Sequence, residues 1–358
     1  MPQILFYRLL YGASALASGL AVLAAVLFVP VQPQMPSAAN PDIATMMAQV
    51  QTNTLMTYAN QLSGEAPASV GGQPYTFTTR ETTSGAPITK ATQFAYEFMQ
   101  THGLTVRYAN WNACGLANRN VIAEKIGADQ PSEIVLVTAH IDSTSDTGAA
   151  PGADDNASGV AAVMTIAEIL APHTFQRTLQ FVIFTGEEQG LCGSAAFAQQ
   201  ADAEDMNIVA VYNMDMLAYN SDSEPILRLH TRTTRNPGYA ADAAIANTFI
   251  SVVADYGLSG ELTPLILADG LDESDTYSFW EWDFPGVLAI EDDGPHSDDF
   301  NPHYHSASDR VSAFNQSYFT NFVKASVGTA ATLAGVASAA TPTPTAGPNK
   351  LHLPTIRR

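Results

Sequence analysis

The stretch Glu133-Ile-Val-Leu-Val-Thr-Ala-His-Ile-Asp142 reads as a buried strand that stops on an imidazole and a carboxylate. An unbroken apolar run of this length fits a strand covered on both faces. Leu179–Phe184 and Ile208–Met214 repeat the pattern and stop just before Glu187-Glu188 and Asp215. Val287–Ile290 is a further short run, and Leu104–Tyr108 and Asn120–Lys125 are strand candidates upstream. Helical spacing of apolar residues predicts helices over Ile43–Leu62, Thr89–His102, Gly159–Leu170, Gly190–Gln200, Pro237–Tyr256 and Ala313–Leu333, with loop over 63–86. Strands alternating with helices predict an α/β fold: a mostly parallel, mixed central sheet with helices on both faces, a three-layer α/β/α sandwich. Ligands of such sheets bind beyond the carboxyl ends of the strands, where His140, Glu187 and Asp215 fall.

The 358 residues suit one large α/β domain, and a hydrophobic fraction of 46% supplies its core. A formal charge of −20 disfavours nucleic acid as a partner, because phosphates are repelled. Leu9 to Pro30 carries no charge, so residues 1–30 read as a signal peptide or an N-terminal membrane anchor. No Lys or Arg follows Arg8 until Arg80, which predicts export: an extracellular or cell-surface protein, touching the membrane only through that segment. Residues 31–41 read as a linker, 42–336 as the folded domain, and 337–358 as a Thr/Pro-rich linker with a short tail. A monomer is expected. Cys114 and Cys192 fit an exported disulfide or two buried thiols equally well.

Each polar segment has a plain structural reading. His140 could simply pair with Asp142, and Asp154 or Asn156 could cap the helix at Gly159. Asp215 could be a turn residue, and the acidic stretch Asp272–Asp309, with His296, His303 and His305, a solvated loop or a calcium site. The alternative reading is one metal site. His140 is then a ligand with Asp142 behind it, and one carboxylate of Asp154-Asp155 bridges two metals. Of Glu187 and Glu188, one binds metal and the other carries a proton, since adjacent carboxylates cannot both ionise at close range without cost.

In order and spacing, His140-x-Asp142, Gly152-Ala-Asp-Asp-Asn-Ala-Ser-Gly159, Gly186-Glu-Glu-x-Gly-Leu-x-Gly-Ser194, Asp215-Met216 and Tyr304-His-x-x-x-Asp309 resemble the secreted bacterial leucyl-aminopeptidase-like family of co-catalytic di-zinc exopeptidases. That superfamily is shared with glutaminyl cyclases, and the resemblance covers roughly residues 40–335. It implies a zinc-exopeptidase-like fold that removes the first residue from peptides with a free N-terminus. It implies two zinc ions, one on His140, Asp155 and Asp215, the other on Asp155, Glu188 and His305. Glu187 becomes the general base acting on a metal-activated water, Tyr304 a catalytic helper, and Asp142, Asp154 and Asp309 supports. His305 is chosen over His303 by the resemblance alone. The family's usual His is Thr276 here, and its loop cysteines and tyrosine are replaced by Asp269, Leu271 and Glu273. Met216, Leu271, Leu288 and Ile290 are expected to line the substrate pocket, although nearby acids would equally suit a basic first residue. A glutaminyl-cyclase-like transferase and a non-catalytic cell-surface domain on the same fold are the alternatives.

Overall fold

The computed structural model describes residues 39–337 apart from 295, 296 and 298. The N-terminal segment 1–30, most of the linker, His296 and the tail beyond Ala337 lie outside the described residues. The helices are α1 (Pro41–Met47), α2 (Thr52–Leu62), α3 (Ala86–Thr101), α4 (Gly159–Leu170), α5 (Cys192–Ala203), α6 (Tyr239–Asp255), α7 (Thr276–Trp280) and α8 (Gln316–Ala334). The strands are β1 (Ala68–Val70), β2 (Gln73–Tyr75), β3 (Thr105–Ala113), β4 (Leu116–Lys125), β5 (Gln130–His140), β6 (Arg177–Phe184), β7 (Ile208–Met214), β8 (Ile226–His230), β9 (Thr263–Leu267) and β10 (Gly286–Glu291).

Eight strands form one sheet in the order β3-β4-β6-β5-β7-β10-β8-β9. The four central strands β6, β5, β7 and β10 run parallel, and β4 and β8 flank them antiparallel. Alternation decides which side chain faces which layer. Val135, Val137 and Ala139 of β5 join the core under α1–α4, α6 and α8, whereas Leu136 joins Val182, Phe184, Phe197 and Phe279 under α5 and α7. The sheet is therefore mixed and covered on both faces, as expected. Helix α4 is buried all round except at Glu168, because α2, α3 and α8 enclose its outer side. Asn40 and Asn315 start α1 and α8 by accepting the amide N–H of Asp42 and Tyr318.

Four expectations need correction. The single helix over Ile43–Leu62 is two, because the chain leaves helical geometry between Met47 and Thr52. The loop over 63–86 holds the β1–β2 hairpin, turned at Gly71-Gly72, where both residues have positive φ. The strand candidates 104–108 and 120–125 extend into a continuous antiparallel pair through Ala113 and Leu116. Strands β8 and β9 and helix α7 were not expected at all.

Cys114, in the β3–β4 turn, is disulfide-bonded to Cys192 at the start of α5, with the Cα atoms 6.0 Å apart. The bond closes a loop across a sequence separation of 78, which restricts the unfolded chain by about 4 kcal/mol. A Cys114→Ser/Cys192→Ser variant is expected to melt roughly 10 °C lower by calorimetry. An unchanged melting temperature would show that the bond does not brace the fold.

Candidate metal centre

Three central strands end at one edge and deliver the polar segments there. His140 is the last residue of β5, Glu187 and Glu188 follow β6, and Asp215 follows β7. Asp155 lies in the buried turn Ala153–Ser158 between β5 and α4, and His305 comes from the loop before α8. Glycine is required twice. Gly186 has φ +81°, and a Cβ there would meet the Trp111 ring at 2.8 Å. Gly152 has φ +49°, and its Cβ would sit 2.3 Å from the Asp155 carbonyl oxygen.

Asp155 stands between the two histidines. Its Oδ1 is 3.4 Å from His140 Nε2, and its Oδ2 is 3.1 Å from His305 Nε2. On the first side, Asp215 Oδ1 is 3.2 Å from His140 Nε2; on the second, Glu188 Oε2 is 3.0 Å from His305 Nε2. Grouping donor atoms by proximity alone gives a different partition: His140, Asp155 and Glu188, and His140, Glu187 and Asp215, each within 4.8 Å. That partition makes Glu187 a ligand and leaves out His305. The contacts favour the first partition, because Glu187 Oε2 is 3.9 Å from His140 Nε2, beyond both Asp155 and Asp215.

A scaffold of hydrogen bonds fixes these side chains. The Asp309 carboxylate accepts the backbone N–H of Asp154 at 3.0 Å and of Asp155 at 3.0 Å. Asp154 in turn accepts from Ala218 N–H at 2.9 Å and Asn301 Nδ2 at 2.8 Å. Asp142 reaches both His140 and the loop after β6. Its carboxylate is 3.7 Å from His140 Nδ1, while its backbone carbonyl is the closer partner at 3.2 Å. The carboxylate also accepts from Thr82 Oγ1 at 3.0 Å and from the Glu187 and Glu188 N–H groups at 3.4 and 3.2 Å, because the β6 loop folds over it.

Sequence reasoning missed two supports. Thr138 Oγ1 donates to Asn213, Asn213 Nδ2 to Ser274, and Ser274 Oγ to Asp215 Oδ2, at 2.7, 3.0 and 2.9 Å. The fully buried Arg80 donates to the backbone carbonyls of Ile141, Leu62, Pro151 and Gly152 at 2.6 to 2.8 Å. It thus holds both ends of the β5–α4 connection that carries His140 and Asp155. Asn213 and Ser274 lie inside conspicuous segments, but nothing in the sequence marks Arg80.

The electrostatics are those of a crowded anion cluster. Burial pushes Glu187 well above the usual carboxylate range; His140 opposes this, while Asp215, Asp275 and Glu188 add to it. Burial and then Asp155 raise Glu188 to about 7, against the opposing hydrogen bond from His305. Burial disfavours charge on His305, yet Asp155 and Glu188 lift it to about 10. Glu188 Oε1 is buried with no hydrogen-bond partner. Buried carboxylates crowded against one another and against imidazoles, with the Glu188 Oε1 oxygen left without a partner, fit divalent cations of the zinc type.

His140, Asp155, Glu187, Asp215, Tyr304 and His305 line one cavity of about 130 Å³. Met216, Leu288 and Ile290 are buried in its wall with Leu271 packed on them. The Tyr304 ring stacks on His305, with centroids 3.6 Å apart. His303 turns away and bonds Ser308 Oγ through Nδ1 at 2.8 Å. The calcium expectation gains no support: among the described residues, no group of three His, Cys, Asp or Glu side chains gathers outside the cluster around Asp155. Asp292 pairs with Arg228 at 2.6 Å, Asp293 with His230 at 3.0 Å, and Asp299 accepts the Ser221 N–H at 3.0 Å.

A probable zinc metalloprotease of Pyrenophora teres f. teres is 38% identical over 109 residues, covering 29% of this chain and 23% of that protein. Leucine aminopeptidase 2 of Trichophyton equinum is 32% identical over 145 residues, covering 40% of this chain and 28% of that protein. The matched regions thus span about a quarter of the length of these curated relatives. The LapA aminopeptidase of Legionella pneumophila has the same fold, with a TM-score of 0.66 at 20% identity over 85% of this chain and 78% of that one. The sequence profile of peptidase family M28 matches residues 120–329, from β4 into α8. Because that match contains every segment gathered around Asp155, the chain belongs to peptidase family M28.

Proposed function

We propose that the chain is a zinc-dependent aminopeptidase holding two zinc ions. One observation carries this reading: the two oxygens of Asp155 face two different histidines, at 3.4 and 3.1 Å. His140, Asp155 and Asp215 would hold one ion, and Asp155, Glu188 and His305 the other. Zinc bound there supplies Lewis acidity toward the scissile carbonyl and brings the pKa of water down toward about 7.

The chain's own residues supply the rest. Glu187 lines the cavity beside both groups and carries no ligand duty in this assignment. It takes the proton from the attacking water and returns it to the leaving amine. The Asp142 carboxylate fixes the backbone of Glu187 and Glu188, so base and ligand keep their separate directions. Burial raises the Tyr304 phenol, and Asp155, Asp215, Glu188 and Glu187 raise it further, so it stays a donor for the developing oxyanion. The negative cavity suits a free α-amine, and the likeness to leucine aminopeptidase 2 supports the exopeptidase mode. The Cys114–Cys192 disulfide supports export to an oxidising compartment.

A panel of aminoacyl p-nitroanilides, their N-acetylated forms and peptides with N-terminal Gln tests the reading. The free-amine substrates are expected to be cleaved, to resist cleavage under a chelator, and to be cleaved again after zinc is restored. Equal cleavage of acetylated substrates contradicts the exopeptidase mode, and cyclisation of N-terminal Gln without hydrolysis favours the transferase instead.

A further inference from the structure

We propose that the cavity selects peptides whose first residue is lysine or arginine, with Asp293 reading the cationic head. This rests on the aminopeptidase reading and adds the substrate class to it. The cavity has two chemically distinct parts. One is the cluster around Asp155. The other is the buried apolar wall of Met216, Leu288 and Ile290 with Leu271 against it, and two carboxylates outside the metal cluster, Asp293 and Glu273, line the same space. An apolar wall with an acidic end matches a side chain that has a methylene stem and a charged tip. Leucine or methionine would fill the wall but leave Asp293, whose Oδ1 is held by His230, with its second oxygen desolvated and without a donor, which costs free energy.

Asp293 is held in place rather than free to swing. Strands β8 and β10 pair antiparallel with His230 opposite Leu288, which sets His230 beside the apolar wall. His230 is buried. Its Nδ1 is 3.1 Å from Asp269 and its Nε2 is 3.0 Å from Asp293 Oδ1. Burial disfavours charge on the imidazole, but its hydrogen bonds with Asp269 and Asp293 overcome that and lift it to about 9. His230 is therefore cationic at neutral pH and fixes one oxygen of Asp293. Among the described residues, no protein donor reaches Asp293 Oδ2.

The charges do not cancel. His230 is one cation against Asp269, Asp293 and Glu273. Arg228, the next cation along β8, is committed to Asp292 at 2.6 Å. Glu273 is exposed, so solvent screens it and Asp293 carries most of the discrimination.

The test uses the zinc-loaded full chain. Lysinamide, argininamide and leucinamide are titrated calorimetrically into the Glu187→Gln variant, which allows binding to be read without turnover. The kcat/KM values of the matching p-nitroanilides are measured on the unmodified chain. Lysinamide and argininamide are expected to bind at least about tenfold more tightly than leucinamide. Asp293→Asn is expected to lower the lysine-to-leucine ratio by about tenfold to a hundredfold in both readouts. Glu273→Lys, at an exposed position, lowers the same ratio and keeps the test available if the Asp293 variant does not fold. Leucinamide binding as tightly as lysinamide, or a ratio unmoved by either variant, overturns the proposal. Lysinamide selectivity without hydrolysis of any anilide upholds the pocket assignment and contradicts only the aminopeptidase reading.

Discussion

Glu187→Gln is expected to lower kcat by about 10²–10⁴-fold while the protein keeps its full zinc content and its KM changes little. Glutamine preserves the size and most of the hydrogen bonding of the side chain but cannot accept a proton from water. The loss corresponds to about 3–5 kcal/mol of transition-state stabilisation. Metal analysis of the same preparation makes the result decisive. The alternative partition groups Glu187 with His140 and Asp215, so it predicts that the variant loses zinc together with activity. Retained zinc with lost turnover assigns Glu187 to the proton; retained turnover removes it from the mechanism.

Arg80→Met is expected to destabilise the fold by about 4 kcal/mol in urea unfolding. Methionine fills much of the space but donates nothing. The carbonyls of Leu62, Ile141, Pro151 and Gly152 would then be buried without their present donor. Each unsatisfied buried carbonyl costs about 1–3 kcal/mol before relaxation. Burial lowers the guanidinium to about 10, with Asp309, Asp155, Asp142 and Glu188 opposing, so it remains charged at neutral pH. Arg80→Lys keeps a cation but not the planar fork, and only partial recovery is expected. A loss below about 1 kcal/mol in Arg80→Met would mean that water or backbone movement satisfies these carbonyls.

The central strands were legible because burial on both faces writes an unbroken apolar run. The register that puts Val135 and Leu136 into opposite cores follows from it. Strand β8 was not legible. Ile226-Leu-Arg-Leu-His230 carries Arg228 and His230, which make sense only beside Asp292, Asp269 and Asp293. Strand β9 lies at the sheet edge and contains Pro264, a residue that normally argues against a strand. The break between α1 and α2 has neither glycine nor proline to announce it.

At the site, residue types and strand ends revealed which side chains belong together, and resemblance sorted each adjacent acid pair. The supporting layer was hidden for a topological reason. Arg80 reaches Gly152 across 72 positions, and Ser274 reaches Asp215 across 59. Such pairs have no local pattern and exist only once β5, β6 and β7 lie side by side.

The central claim is that Asp155 is shared between two metal ions, and metal content per chain tests it most directly. The purified protein saturated with zinc and freed of loose ions is expected to carry two zinc ions. His305→Ala is expected to carry one, and His303→Ala two, since His303 bonds Ser308 and stands apart from the cluster. A single tightly held zinc in the unmodified protein, or loss of zinc in His303→Ala with full retention in His305→Ala, would contradict the account.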